Sequence, residues 1–308
     1  MKTALLFSGQ GSQYVGMLKD VCEAYPRAKE LISLADNVLG YGISSICFDG
    51  PVEKLKETRF TQPAIFLHSA VNFELIKDKI EFNATAGHSV GEYAALYAAG
   101  VLSFEDAIKL VSLRGNLMFK AGELMPGTMF AVINLSDEKV EQLCKELTEK
   151  GNGSVIVPAN YNSPGQIVIS GSADYLRQNA PKFKEAGARM VMELQVSGAF
   201  HSPLLKPAKE ELEIAIKNIN FNEPNVPVYA NVYAKPLTSS SDIKEALIEQ
   251  LMSPVKWTQS LLAMKSDGFA SFIEIGPGQV LQGLVKRTLT EVEVSGFDKE
   301  SDIMKILS

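Results

Sequence analysis

The chain has 308 residues, of which 46% are hydrophobic and 21% charged, and its 36 acidic and 30 basic side chains give a net charge of −6. This is the composition of a globular protein long enough for a large core in one or two domains. The acidic balance argues against nucleic acid as a partner. Three histidines and three cysteines, all far apart in sequence, argue against a zinc site or a disulfide framework.

The first apolar run of the chain, residues 4–7, ends at Ser8 and Gly9. It is too short for the hydrophobic part of a signal sequence or for a membrane span. We therefore expect a cytoplasmic protein without a membrane partner.

Apolar runs that end at glycine alternate with longer amphipathic stretches, which is typical of an α/β domain with a mostly parallel sheet. Residues 3–7, 84–86 and 270–275 are predicted strands, and a glycine-bearing loop and a helix candidate follow each of them. The carboxyl ends of parallel strands share one edge of a sheet, where such domains bind ligands. We expect the three loops to meet there, in a large domain of the α/β-hydrolase type.

The stretch from 128 to 195 has a different pattern. It predicts strands over 129–133, 154–159, 166–170 and 189–194, with helices over 137–150 and 173–186. This β-α-β-β-α-β order is the ferredoxin-like arrangement. We therefore predict a small ferredoxin-like domain, residues 128–195, inserted into a large α/β domain made of residues 1–127 and 196–308.

Residues 87–91 (GHSVG) match the pattern G-x-S-x-G between a short predicted strand and a predicted helix over 92–99. In a nucleophile elbow, the glycines allow a sharp turn that exposes the serine hydroxyl, and the helix N-terminus and the next N–H face a developing oxyanion. Ser89 is therefore a candidate nucleophile and the N–H of Val90 a candidate oxyanion donor. The alternative is an ordinary turn in which Ser89 caps the helix.

A serine nucleophile needs a base, and the chain offers three histidines. His88 is adjacent to Ser89 in sequence, so that its side chain would point away. His68 lies in an apolar run and is expected to be a core histidine. His201 follows the small domain on a predicted loop and is the base by elimination, although a loop histidine without a role is the alternative.

Arg114 lies on a helix predicted to begin after Ser103, where Asp106 completes a capping box. At 100° per residue, Arg114 falls in the middle of the apolar face of that helix. A buried guanidinium needs a partner, because its fork of donors would otherwise stay unpaired. Either a carboxylate of the protein or a carboxylate of a ligand meets it.

Gln10, between two glycines after the first strand, could supply a second backbone N–H to an oxyanion. A phosphate loop is the alternative for this turn. Neither G-x-x-x-x-G-K-[ST] nor G-x-G-x-x-G occurs here, which disfavours nucleotide binding.

Six segments of the chain, taken together and in this order, resemble malonyl-CoA:acyl carrier protein transacylases, which are acyltransferases of fatty-acid and polyketide synthesis. The resemblance runs nearly end to end, and the set is far more specific than any one segment. The segments are 9–13 (GQGSQ), 87–92 (GHSVGE), 113–115 (LRG), 160–166 (NYNSPGQ), 200–203 (FHSP) and 275–278 (IGPG).

The resemblance implies a role for each matching residue. Ser89 would be the acylated nucleophile and His201 its general base and acid. Gln10 and Val90 would form the oxyanion hole through their backbone N–H groups. Arg114 would hold the malonyl carboxylate.

Five further positions match with roles in orientation and binding. The backbone carbonyl of Gln250 would orient the histidine in place of the aspartate of a hydrolase. Gln62, Asn160 and Asn162 match residues that line the pocket. Phe200 matches the malonyl-selective form of its loop.

The activity implied is transfer of a malonyl group from malonyl-CoA to the pantetheine thiol of acyl carrier protein through a malonyl-serine, in a ping-pong sequence for fatty-acid synthesis. No cofactor or metal is implied, since the coenzyme A thioester is a substrate. Five basic side chains are candidates for contact with the carrier protein: Lys182, Lys184, Arg189, Lys286 and Arg287. The simpler interpretation of each is a solvated helix face.

Two alternatives of other kinds stay open at this point. A serine hydrolase would use the same elbow, but its triad needs an acid between the serine and the histidine in chain order. The prominent acids there, Asp106 and Asp174, are predicted helix-start residues. A subunit that binds carrier protein without catalysis is the second alternative, and the presence of Ser89, His201 and Arg114 argues against it.

Overall fold

The computed structural model describes residues 1–307, and within them strands and helices alternate along most of the chain. No helix of these residues is long and apolar enough to cross a bilayer. The strands are β1 (Lys2–Phe7), β2 (Ala84–Gly87), β3 (Gly127–Ile133), β4 (Ile156–Ser163), β5 (Gln166–Ser172), β6 (Met190–Glu193), β7 (Val228–Tyr229), β8 (Pro236–Leu237), β9 (Phe269–Ile275) and β10 (Glu293–Phe297).

Fourteen α-helices lie between and after these strands within residues 1–307, and a 3-10 turn, Pro203–Leu205, precedes the tenth. The helices are α1 (Lys19–Ala24), α2 (Pro26–Leu39), α3 (Ile43–Asp49), α4 (Val52–Lys56), α5 (Thr58–Ile76), α6 (Gly91–Ala98), α7 (Phe104–Leu124), α8 (Asp137–Glu149), α9 (Ala173–Glu185), α10 (Lys206–Lys217), α11 (Ser240–Gln250), α12 (Trp257–Ser266), α13 (Val280–Thr288) and α14 (Glu300–Leu307).

The larger sheet has the strand order β10-β9-β1-β2-β7-β8, and every neighbouring pair is parallel except β7 with β8. The prediction of an α/β fold with a mostly parallel sheet is confirmed. β1 lies between β9 and β2, so the three strands predicted from sequence are direct neighbours. Their following loops therefore meet at one edge of the sheet, as expected.

Both faces of this sheet are covered by helices, which explains why its strands are apolar runs without alternation. Successive side chains of β1 point to opposite faces. Leu5 and Phe7 pack in the same cluster as residues of α5, α6 and α7, whereas Ala4 and Leu6 pack with residues of α12 and α13. Helix α5 is buried along most of its length.

The smaller sheet is antiparallel, with the strand order β4-β5-β3-β6. The elements from β3 to β6 follow the predicted β-α-β-β-α-β order. Helices α8 and α9 pack on one face of this sheet, around Val140 and Phe183. The domain limits at residues 128 and 195 stay a prediction.

Strand β4 differs from its prediction, which had it over 154–159. It begins at Ile156 and continues to Ser163, with irregular pairing on both sides of Asn160. Tyr161 N–H donates to the Val255 carbonyl at 2.9 Å, and Val255 N–H donates to the Ala159 carbonyl at 2.8 Å. The segment around Val255, which is not part of the smaller sheet, thus supplies the extra partner that keeps this run extended.

Candidate active site

The turn between β2 and α6, residues 87–91, is called the elbow below. Ser89 stands at its apex with a positive φ of 53°, in the left-handed region. A Cβ on Gly87 would lie 2.0 Å from the Gly91 carbonyl carbon, and a Cβ on Gly91 would lie 2.2 Å from the Phe7 carbonyl oxygen. Both positions therefore require glycine. The sharp turn predicted from the pattern is confirmed, and the hydroxyl of Ser89 faces a cavity.

His201 is the histidine that touches Ser89, as elimination predicted. Its Nε2 lies 2.8 Å from Ser89 Oγ, and its Nδ1 lies 3.0 Å from the carbonyl oxygen of Gln250 and 3.1 Å from that of Ser253. A carbonyl oxygen can only accept a hydrogen bond, so Nδ1 carries the proton. The lone pair of Nε2 therefore faces the serine hydroxyl, which is the tautomer that a general base needs.

Burial and, second, the positive charge of Arg114 lower the pKa of His201 to about 3. The imidazole is therefore neutral at physiological pH and free to accept a proton. Backbone carbonyls occupy the place next to Nδ1 where a hydrolase triad has a carboxylate. Asp106 and Asp174 lie in the first turns of α7 and α9, as predicted, and not at this histidine.

Arg114 is fully buried on α7, and amides hold its guanidinium. Its Nη1 donates to Gln62 Oε1 at 2.7 Å, and its Nη2 donates to Gln250 Oε1 at 3.1 Å and to Ser89 Oγ at 3.0 Å. Its Nε has no hydrogen-bond acceptor among the described residues.

No ion pair within residues 1–307 involves Arg114. Burial lowers the pKa of the guanidinium, yet arginine stays charged inside proteins. Of the two partners considered from sequence, a protein carboxylate is thus excluded for the part of the chain described. The site presents an unpaired positive charge beside the serine.

A cavity of about 170 Å³ contains these groups. Its lining combines the serine, the histidine and the arginine with apolar side chains, among them Met129 and Val168 of the smaller sheet. The lining residues are Gln10, His88, Ser89, Val90, Arg114, Met118, Met129, Asn160, Asn162, Val168, Leu194, Val196, Phe200 and His201.

The backbone N–H groups of Gln10 and Val90 are unpaired in the described part of the chain. Both residues line the cavity. The N–H of Ser89, by contrast, donates to Asn231 Oδ1 at 2.8 Å and is not available to a ligand. Two free donors are thus present where the sequence predicts an oxyanion hole, although their role stays a prediction.

The family model described as acyl transferase domain matches residues 4–303. The chain belongs to this family. It is 43% identical to the malonyl CoA-acyl carrier protein transacylase of Haemophilus influenzae, over 95% of this chain and 94% of that protein. It is 45% identical to the protein of the same name from Bacillus subtilis, over 93% of this chain and 90% of that one. The family resemblance stated from sequence motifs is confirmed.

Solved structures of the family have the same fold. An acyl carrier protein S-malonyltransferase from Vibrio cholerae superposes with a TM-score of 0.93 at 41% identity, covering 99% of this chain and 100% of that one. A malonyl-transacylase in complex with its type II PKS acyl-carrier protein superposes with a TM-score of 0.93 at 37% identity, covering 100% and 99%. These likenesses confirm the mixed α/β fold.

Three of the four predicted pocket residues of this acyl transferase line the cavity, and one lies outside the lining. Asn160, Asn162 and Phe200 line the cavity, the asparagines from β4 and the phenylalanine from the segment before His201. Gln62 is not part of the lining. It lies buried on α5 and reaches the site through its contact with the guanidinium.

The other two histidines have structural environments, as predicted. His88 Nε2 lies 2.8 Å from Asn162 Oδ1, so its ring points toward the small sheet and away from the serine. His68 is fully buried on α5, with Nε2 3.1 Å from Asp298 Oδ1. Neither histidine contacts Ser89 in the described structure, which leaves His201 as the candidate base.

The basic side chains considered for the carrier protein lie in three places. Lys182 and Lys184 are in the last turn of α9, and Lys286 and Arg287 are in the last turn of α13. Arg189 is exposed just before β6. Their role in docking stays a prediction.

Two buried polar residues of the site were missed in the sequence. Oε2 of Glu92 accepts from Gln250 Nε2 at 2.9 Å and from the Asn231 N–H at 3.1 Å. Burial raises the pKa of Glu92 to about 7. An acidic residue in an otherwise apolar helix, α6, was the available signal for Glu92. Asn231 follows β7 in a segment with no recognisable pattern.

Proposed function

We propose that this chain transfers the malonyl group of malonyl-CoA to the pantetheine thiol of acyl carrier protein, and so supplies the elongation unit of fatty-acid synthesis. The observation that carries the proposal is the unpaired guanidinium of Arg114, 3.0 Å from a serine hydroxyl that is itself 2.8 Å from a neutral imidazole. A substrate with both a thioester and a carboxylate fits this arrangement. A cytoplasmic location, expected from the sequence, is part of the proposal.

In the first half of the reaction, Ser89 Oγ attacks the thioester carbonyl carbon while His201 Nε2 takes the hydroxyl proton. The negative charge that develops on the carbonyl oxygen is stabilised by the N–H groups of Gln10 and Val90. The C–S bond then breaks, and coenzyme A leaves as a thiol with the proton from His201. The product is malonyl-Ser89.

In the second half, the pantetheine thiol of the carrier protein gives its proton to His201 and attacks the ester carbonyl. A new C–S bond forms, the bond to Ser89 Oγ breaks, and the serine recovers its proton from the imidazole. Both halves need the same base and the same oxyanion donors. Neither half needs a metal or an organic cofactor.

Arg114 supplies specificity in this scheme. A guanidinium presents a planar fork that matches a carboxylate, and its burial strengthens the interaction because water does not screen it. The carboxylate also orients the thioester, since one end of the malonyl group is fixed while the other meets the serine. An acetyl group lacks this anchor.

The test is intact-protein mass spectrometry after mixing the chain with malonyl-CoA. We expect one malonyl group on Ser89, no adduct in Ser89→Ala, and loss of acylation in His201→Ala by about 10⁴-fold. Addition of acyl carrier protein with its pantetheine arm should discharge the adduct onto the thiol.

Three results would count against the proposal. Release of free malonate at a rate independent of carrier protein would make the chain a hydrolase. The absence of any adduct would favour a subunit that binds without catalysis. A full malonyl adduct in His201→Ala would remove the histidine from the mechanism.

A further inference from the structure

The side-chain amide of Asn231 links the first residue of the elbow to its apex. Its Nδ2 donates to the Gly87 carbonyl at 2.7 Å, and its Oδ1 accepts from the Ser89 N–H at 2.8 Å. The residue is almost fully buried, and it reaches the elbow from a segment 142 positions later in the chain. No step of the reaction described above uses it.

The Ser89 peptide is held on its carbonyl side as well. The Ser89 carbonyl accepts from Gln250 Nε2 at 3.0 Å. The same Gln250 nitrogen and the backbone N–H of Asn231 both donate to one oxygen of Glu92. A single carboxylate oxygen on α6 thus anchors both groups that hold the serine.

These hydrogen bonds are needed because the backbone conformation of Ser89 is unfavourable. A left-handed backbone is unfavourable for a residue other than glycine or asparagine, so surrounding contacts must maintain it. If the Ser89 N–H lost its acceptor, the peptide would be free to rotate toward an ordinary conformation. The hydroxyl would then leave His201, and the N–H of Val90 would turn with it.

We propose that Asn231 is a positioning residue for the nucleophile. By binding the Ser89 N–H and the Gly87 carbonyl together, it keeps the hydroxyl on His201 and leaves the Val90 N–H as the donor for the substrate oxygen. The proposal rests on the part of the proposed function that makes Ser89 the nucleophile. It does not depend on which acyl group is transferred.

A small alkyl fluorophosphonate is the appropriate probe, because it reacts with an activated serine whatever acyl group the enzyme uses. Ser89 Oγ bonds to phosphorus, fluoride leaves, and His201 takes the proton. The rate of labelling, followed by mass spectrometry, should fall by about 100-fold or more in Asn231→Ala, as expected when an attacking group and an oxyanion donor are misplaced.

Asn72→Ala is the matched control. Asn72 is fully buried on α5, and its amide donates to the backbone carbonyls of Phe297 and Asp298 at the last strand of the large sheet. This variant loses the same kind of contact away from the elbow. It should label at the rate of the parent chain.

Asn231→Asp distinguishes positioning from a general loss of packing, because the side chain keeps its shape. An ionised aspartate can accept from the Ser89 N–H but cannot donate to the Gly87 carbonyl, whereas a protonated one can do both. Labelling in this variant should be slow at high pH and recover as pH falls. Asn231→Ala should stay slow at every pH.

Four titratable or charged groups surround the elbow: Glu92 on α6, Arg114 on α7, His201 before α10, and His88 within the elbow itself. The carboxylate of Glu92 titrates in the range of interest, since its pKa is raised to about 7. Each rate is therefore divided by the rate of the parent at the same pH. This ratio removes the titrations that the parent and the variants share.

The inference is overturned if Asn231→Ala labels as fast as Asn72→Ala, if Asn231→Asp shows no recovery at low pH, or if the probe does not label the parent. A parent that the probe labels but that forms no malonyl adduct overturns the proposed function alone. The two failures are therefore distinguishable.

Discussion

Glu92 provides the sharpest test of the electrostatics of this site. It is 1% exposed on α6 and accepts two hydrogen bonds, yet no ion pair within residues 1–307 includes it. Burial raises the pKa of its carboxyl from 4.5 to about 7, against the opposing effects of Gln250, Asn231 and Arg114. We predict that Glu92→Gln stabilises the protein at neutral and alkaline pH and has no such effect in acid.

The sign follows from proton linkage. A carboxyl with a raised pKa binds its proton more tightly in the folded than in the unfolded state, so the stability of the parent falls as pH rises between the two pKa values. A shift from 4.5 to about 7 corresponds to about 3 kcal/mol. Glutamine carries no charge, and its amide oxygen can accept the same two N–H groups.

The measurement is urea unfolding of the parent and of Glu92→Gln at a series of pH values, followed by circular dichroism. The free energy of unfolding of the variant should exceed that of the parent by an amount that grows by about 3 kcal/mol from about pH 4.5 to about pH 8. Any constant difference due to packing cancels in this comparison. Glu123→Gln, at an exposed position of α7, should follow the parent at every pH. A difference that is constant with pH, or that shrinks as pH rises, would refute the reasoning.

Three other predictions concern the anchor, the base and the elbow. Arg114→Ala should lower the preference for malonyl-CoA over acetyl-CoA, measured as the ratio of kcat/KM values, by about 100-fold, and an unchanged ratio would remove its carboxylate role. The base is tested in Glu92→Gln, because the carboxyl of Glu92 itself titrates near pH 7. The acylation rate of this variant should show no inflection near pH 6.5 as pH falls, because the pKa of His201 is lowered to about 3. Gly91→Ala should lose about 3 kcal/mol or more of stability in urea unfolding, since its Cβ meets backbone, while Gly283→Ala, which meets nothing within 4 Å, should not.

The elbow could be predicted from sequence because its pattern is local, and the base could be predicted because the chain has few histidines. Gly87, Ser89 and Gly91 lie within five residues of each other between a strand and a helix. Three histidines left few candidates, and two of those were in environments that excluded them. Arg114 was visible as a charge on an apolar helix face, but the choice between a protein and a ligand partner needed the structure.

The groups that hold the site together could not be predicted in the same way. Asn231 and Gln250 bind Ser89 of the elbow from 142 and 161 positions away, through hydrogen bonds of their side-chain amides. No local pattern encodes such a pairing, since an asparagine or a glutamine in a loop or at a helix end is ordinary. The extension of β4 was missed for the same reason, because its partner Val255 lies in a distant segment.

The use of amides around Arg114 explains how a buried charge is both held and kept available. The side-chain oxygens of Gln62 and Gln250 accept from the guanidinium but carry no charge of their own. Glu92, which could neutralise it, instead receives the nitrogen of Gln250 and so fixes which end of that amide faces the arginine. A carboxylate in place of either glutamine would form an ion pair and compete with any carboxylate of a substrate. The neutral oxygens orient the fork of donors while its charge stays free for a ligand.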